Sequence, residues 1–219
     1  MNIDCYTPKG TVSKTKVKLD DSIFSVKPND SLVHQVFVSQ RANLRRGTAA
    51  TKNRAMVVGS TRKIRKQKGL GLARKGSIKS PLQVGGGVTF GPSPRNFGKR
   101  IPKQMNRQAI KSMLSDKILA KKLILLDFKG EYPKPSTKDF VAMLSKLKID
   151  SSCLILTNEL NREFFLSSRN VPKVSVMSAE RVSVYDLLQN EWVVLLKNSV
   201  DLLESRLNSS IIRRKEIQG

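Results

Sequence analysis

Cys153-Leu154-Ile155-Leu156 is a run with no strongly polar side chain, and it sets the kind of fold open to this chain. Alternate residues of a strand face opposite sides of the sheet, so a run apolar at every position is buried on both faces. Leu123-Ile124-Leu125-Leu126, continuing to Phe128, and Trp192-Val193-Val194-Leu195-Leu196 repeat the signal, and Val174 to Met177 is a further strand. Helical patterns alternate with these runs. Lys103 to Lys117 reads as a helix with Met105, Ala109, Met113 and Leu114 facing inward. Ser136-Thr137-Lys138-Asp139 caps a helix carrying Phe140, Met143, Leu144 and Leu147. Further helical stretches carry Leu160, Phe164 and Phe165, then Val184, Leu187 and Leu188, and lastly Val200, Leu203 and Leu207. The alternation predicts an α/β fold, a mostly parallel sheet covered by helices on both faces.

Upstream, residues 1–30 read as short extended segments, with Thr11-Val12-Ser13 and Val17-Lys18-Leu19 flanking polar turns around Lys9-Gly10. Pro28-Asn29-Asp30-Ser31 starts a helix, with Asp30 or Ser31 as its cap, and Leu32, Val33, Val36, Phe37 and Gln40 recur along it to near Arg45. At Gly47 the periodicity stops. Ten of the thirteen glycines lie between Gly47 and Gly98, joined by Pro81, Pro92 and Pro94. A patternless segment of this length inside a domain signals disorder or a functional loop. Groups such as Gly69-Leu70-Gly71 and Gly85-Gly86-Gly87 suit positive φ or close backbone approach. The expected organisation is an α/β body from residues 1–46 and 99–219, with 47–98 as a long extended basic loop ordered by its partner.

Charge singles out the same region. Residues 31–115 hold 19 Lys and Arg and no Asp or Glu, which is +19 of the formal +24. Such one-sided charge calls for a dense anionic partner. Nucleic acid is one, because each neutralised phosphate releases condensed counterions. The candidate contacts are Arg45, Arg46, Lys52, Arg54, Arg62, Lys63, Arg65, Lys66, Lys68, Arg74, Lys75, Lys79 and Arg95. Between Gly47 and Gly98 only Phe90 and Phe97 are aromatic. Base stacking on an aromatic platform is therefore not the expected mode; phosphate and shape contact is.

Other functions find little support. No window fits G-x-x-x-x-G-K-[ST], and Gly69-Leu70-Gly71 has Arg74 where a dinucleotide fingerprint needs glycine. His34 is the only histidine, with no nucleophile or carboxylate patterned around it. Cys5 and Cys153 stand far apart without metal spacing, which points to a reducing compartment and no metal site. No enzyme activity, cofactor or small-molecule substrate is expected. The apolar runs are too short to span a bilayer, so no membrane partner is expected. The N-terminus has neither a signal nor a transit pattern, so the chain is expected to begin where translation begins and to stay inside the cell.

An ordered succession of motifs makes the reading sharper. Arg46-Gly47-Thr48 with Thr51-Lys52-Asn53-Arg54 comes first, followed by Gln67-Lys68-Gly69-Leu70-Gly71-Leu72-Ala73-Arg74. Gly76-Ser77-Ile78-Lys79-Ser80-Pro81 and Gly85-Gly86-Gly87-Val88-Thr89-Phe90-Gly91-Pro92 complete it. With Leu32-Val33-His34-Gln35-Val36 before and Leu154-Ile155-Leu156-Thr157-Asn158-Glu159-Leu160 after, this resembles the bacterial-type large-subunit ribosomal protein L-four family over essentially the whole chain. The resemblance implies a structural, non-catalytic protein of the large subunit. Its α/β domain would lie on the solvent side, and its basic extension would thread into large-subunit ribosomal RNA. Neighbouring large-subunit ribosomal proteins would be further partners. The extension's tip, Arg62 to Arg74, would help form a constriction of the nascent-peptide exit tunnel. Arg65, Lys66, Gln67, Lys68, Gly69 and Leu70 would then face the tunnel and the nascent peptide, Lys68 above all. Where the family usually has aromatics this chain has Ile64-Arg65 and Gln83-Val84, and Leu70 and Leu72 replace Thr and Arg, so the tip has gained aliphatic surface. The resemblance implies the cytoplasm of a bacterium, or an organelle-encoded protein. A free RNA-binding regulator acting on a messenger leader is the alternative role.

Overall fold

The computed structural model describes residues 1–128, 134–159 and 161–216, which leaves Leu160 outside the described residues. In chain order the elements are β1 (Asn2–Tyr6), β2 (Val12–Lys18), α1 (Asp21–Phe24), α2 (Asp30–Asn43), α3 (Lys103–Leu119), β3 (Leu123–Leu126) and α4 (Thr137–Lys146). They continue with β4 (Cys153–Thr157), α5 (Arg162–Ser168), β5 (Val174–Ser178), α6 (Val184–Gln189), β6 (Trp192–Leu196) and α7 (Val200–Glu216). The chain divides into two units, Met1–Arg41 with Arg100–Gly219, and Ala42–Lys99. All the described strands lie in the first.

Those strands form one six-stranded sheet in the order β2-β1-β3-β6-β4-β5. β1 and β2 pair antiparallel, and every other pair is parallel. The period of two divides the apolar runs between two cores. Leu123 and Leu125, Leu154 and Leu156, and Val193 and Leu195 face the first core, with residues of α1, α2, α3, α6 and α7. Leu126, Cys153, Ile155, Val194 and Leu196 face the second, against Phe140, Met143 and Leu144 of α4 and Phe164 of α5. The expected α/β architecture with helices on both faces is present.

Local chemistry explains the element boundaries. Ser136 Oγ accepts from Asp139 N at 3.3 Å, the cap expected for α4. A full capping box opens α6, where Ser183 and Asp186 satisfy each other's backbone N–H groups. At α2 the expectation is corrected: Asn29 Oδ1 caps it, accepting from Leu32 N at 3.1 Å. The helix starts one residue early, so Asp30 lies in its first turn, where a negative charge suits the helix dipole.

Residues 1–30, expected as short extended segments up to the α2 entry, do form β1, but Val12–Lys18 is one continuous strand and Asp21–Phe24 is a one-turn helix, α1, which corrects the extended reading there. α1 is capped by Asp20 and buries Ile23 and Phe24. α3 also departs from its one-faced reading. Every residue from Ala109 to Ser115 is buried, Ile110 included, whereas Met105 is half-buried. Lys111 lies within that buried stretch. Its ammonium donates to Ser22 O at 3.3 Å and Asn208 Oδ1 at 3.2 Å, and burial lowers its pKa.

Cys5 packs in the first core and Cys153 in the second, both as free thiols. Burial pushes the Cys153 thiol from its ordinary value of 9.0 up to about 12 and raises that of Cys5. Both should resist an aromatic disulfide reagent at pH 8 in the native protein, and two thiols per chain should react after denaturation. The unfolded chain ionises its thiols from pH 9 upward while the folded chain keeps Cys153 neutral. Stability should therefore fall as pH rises from about 9 to about 12, and in Cys153→Ala that alkaline decline should be shallower.

Candidate nucleic-acid interface

Ala42–Lys99 contains fourteen Lys and Arg and no acidic residue. Its cations thus have no carboxylate partner within their own unit. No apolar side chain of this unit is buried, although all its residues are described. Val58, Leu82, Val84 and Phe90 are almost fully exposed. A unit with neither a core nor internal ion pairs has little of its own to offset roughly 1–2 kcal/mol of backbone entropy per residue.

What organises it is a nested set of hydrogen bonds donated by backbone N–H groups. At the base, Lys99 N donates to Asn43 Oδ1 at 2.7 Å and Arg95 N to Gly47 O at 3.2 Å. Further along, Thr51 N donates to Pro92 O at 2.9 Å, Val88 N to Lys52 O at 2.9 Å and Ile64 N to Gly76 O at 2.9 Å. The outgoing and returning limbs thus close on each other from the pair Asn43 and Lys99 at the base to the pair Ile64 and Gly76 at the far end. No helix or strand is formed from residue 44 to residue 102. Two glycines make the approach possible. Gly47 has φ +69° and would drive a Cβ into Arg95 O, and a Cβ on Gly87 would meet Arg54 N.

The closures gather some of the candidate cations. Arg45 and Arg95 come together on Phe97, their guanidinium carbons 3.9 Å and 4.4 Å from the ring centroid. Arg62, Lys63, Arg65 and Lys66 line a groove with Ser60, Ile64 and Ile78, and the Lys63 ammonium donates to the Gln67 side chain. Arg46, Lys52, Arg54, Lys68 and Arg74 are exposed, Lys75 and Lys79 half-buried, and none of these lines either site. Gln67, Gly69 and Leu70 are exposed with Lys66 and Lys68, and nothing lies within 4 Å of a Cβ built on Gly69.

Phe97 is the residue the sequence reading undervalued. Aromatic scarcity argued against base stacking, and the ring instead orients two guanidinium groups, an attraction of about 0.5–1 kcal/mol each at exposed sites. Its position two residues after Arg95 was the available signal. His34 is exposed on α2, and among the described residues no group of His, Cys, Asp and Glu is placed to hold a metal ion. No described helix is long and apolar enough to cross a membrane. The family model described as the Ribosomal protein L4/L1 family matches residues 17–206.

The closures make a local prediction. Gly47→Ala adds about 1–2 kcal/mol of left-handed strain and sets a Cβ inside van der Waals contact of Arg95 O, so the Arg95 closure must open. Amide exchange at Arg95 and Thr51 should accelerate by roughly 5- to 30-fold. Gly76→Ala, with open space around its Cβ, should leave both rates unchanged.

Proposed function

The chain belongs to the Ribosomal protein L4/L1 family, and from that membership we propose a division of labour between its two parts. As a member of this family it is a large-subunit ribosomal protein that binds ribosomal RNA. In our reading residues 1–46 and 99–219 form a body at the solvent side of the subunit, and residues 47–98 reach into the RNA. Arg65 to Leu70, at the far end of the nested closures, line part of the nascent-peptide exit tunnel. The role is structural, in a bacterial or organelle ribosome, beside other large-subunit proteins.

One observation carries this reading: fourteen cations sit in a unit with no acidic residue and no buried apolar side chain. Such a unit gains its stability from phosphate, whose neutralisation releases counterions. The contacts are Arg45, Arg46, Lys52, Arg54, Arg62, Lys63, Arg65, Lys66, Lys68, Arg74, Lys75, Lys79 and Arg95. Lys111 lies outside this set, because its ammonium is spent on Ser22 and Asn208 inside the body.

Sedimentation tests the reading. The full chain should co-migrate with large subunits; a chain that stays at the top of the gradient while binding a messenger leader would be the free regulator instead. Replacing residues 49–96 with a short Gly/Ser linker should leave a cooperatively melting body that reaches ribosomal particles weakly, since both cores lie outside that segment. Loss of the melting transition would defeat the two-part reading.

Salt dependence tests the contacts. Changing Arg62, Lys63, Arg65, Lys66 and Lys68 together to Gln should flatten the slope of log K against log salt by roughly 3.5 to 4.5, the value for five lost phosphate contacts. An unchanged slope would mean that these charges make no phosphate contact and that the anchoring lies in Arg45, Arg46, Lys52, Arg54 and Arg95 instead.

A further inference from the structure

Arg45 and Arg95 lean on one phenyl ring, with guanidinium carbons 3.9 Å and 4.4 Å from the Phe97 centroid. The two carbons can be no farther apart than the 8.3 Å to which those distances add. Their like charges repel, and no residue of Ala42–Lys99 is acidic. The same three side chains line a pocket of about 240 Å³ with Gly47, Thr48, Pro92 and Ser93. Its shape is held by the Arg95 N to Gly47 O bond and by Lys99 N on Asn43 Oδ1.

We propose that this pocket is a clamp for a single phosphodiester group of RNA, gripped by Arg45 and Arg95 together and shaped by Phe97. The inference rests on the RNA-binding reading above and adds a specific site to it. A phosphate is favoured over a base on two grounds. Phe97 already carries two guanidinium groups, so its ring is not a free stacking platform. The guanidinium edges, which carry the N–H donors, remain for an acceptor with several oxygens. Charge-assisted N–H···O bonds of about 2.7–2.9 Å from each side let one phosphate bridge two groups this close, and its charge removes their mutual repulsion. The volume agrees, lying below the roughly 300–1,000 Å³ of pockets that enclose whole drug-sized ligands.

The clamp differs from a mere pair of cations in being cooperative and in needing the ring. Binding of the full chain to a large-subunit rRNA transcript should be measured for Arg45→Gln, Arg95→Gln and the double variant, with Phe97→Leu and Phe97→Tyr beside them. Each single arginine variant should weaken binding about tenfold or more, as expected for a hydrogen bond to a charged group. The double variant should be at most about threefold weaker than either single one, because one phosphate needs both partners. Phe97→Leu should weaken binding without any change of charge, and Phe97→Tyr should restore it. If the single losses multiply in the double variant, or if Phe97→Leu binds like the parent, the arginines act independently and the clamp is refuted. Melting of the body, followed through its only tryptophan, Trp192, should be the same in every variant. A shift would assign the three residues to folding and refute the clamp as well. A parent chain that fails to bind the transcript while its body melts normally would refute the RNA-binding reading itself, and the clamp with it.

Discussion

Val193, Val194, Leu195 and Leu196 are all buried, two toward each core, and the body is arranged around them. β6 pairs in parallel with β3 on one side and β4 on the other. A strand hydrogen-bonded on both edges and covered on both faces has no room for a polar side chain. Everything that touches it must supply apolar surface on the same side. α3 and α7 do so for the first core, α4 and α5 for the second. β1 and β2 extend this sheet beyond β3, where burial is less complete and Lys16 can pair with Asp4 at the surface. The result is a body whose stability comes from two cores that share one sheet, at about 25 cal/mol for each Å² of apolar surface removed from water.

Ala42–Lys99 is built on a different principle. Hydrogen bonds between its limbs define a path, glycine at positions 47 and 87 lets backbone lie against backbone, and no apolar core backs them. Its cations repel one another as long as nothing anionic is present. That conflict is what suits the unit to a phosphate-rich partner, since binding supplies at once the countercharge and the contacts that the isolated unit lacks. Lys111 shows the opposite use of a cation from the same acid-free stretch. Buried between α1 and α7, with its pKa lowered by desolvation, it serves the packing of the body.

The central strands were legible because every second residue and its neighbour are both apolar, a pattern that only a doubly covered strand needs. β3, β4 and β6 thus stood out, as did α4 with its Ser136 cap. β1 was legible only as part of an extended stretch, because the alternation in Asn2-Ile3-Asp4-Cys5-Tyr6 says nothing of its neighbours, and tertiary structure alone sets it between β2 and β3. α1 is too short for a period to show. In α3 the sequence has Lys111, Ser112 and Ser115 among apolar residues, which reads as a polar face until α1, α6 and α7 close around it.

The sequence by itself determined three things: a doubly covered, mostly parallel sheet, the segregation of positive charge into one acid-free stretch, and the family to which the motifs point. These are properties of composition and short-range order, which survive without coordinates. Tertiary structure alone decided which distant residues meet. Arg45 and Arg95 are separated by fifty positions, and nothing in their local patterns pairs them. They converge on Phe97 because the Gly47–Arg95 closure and the Asn43–Lys99 bond bring the two limbs together. Periodicity reports how a residue sits within its own element, whereas a site joined across a loop is fixed by closure geometry.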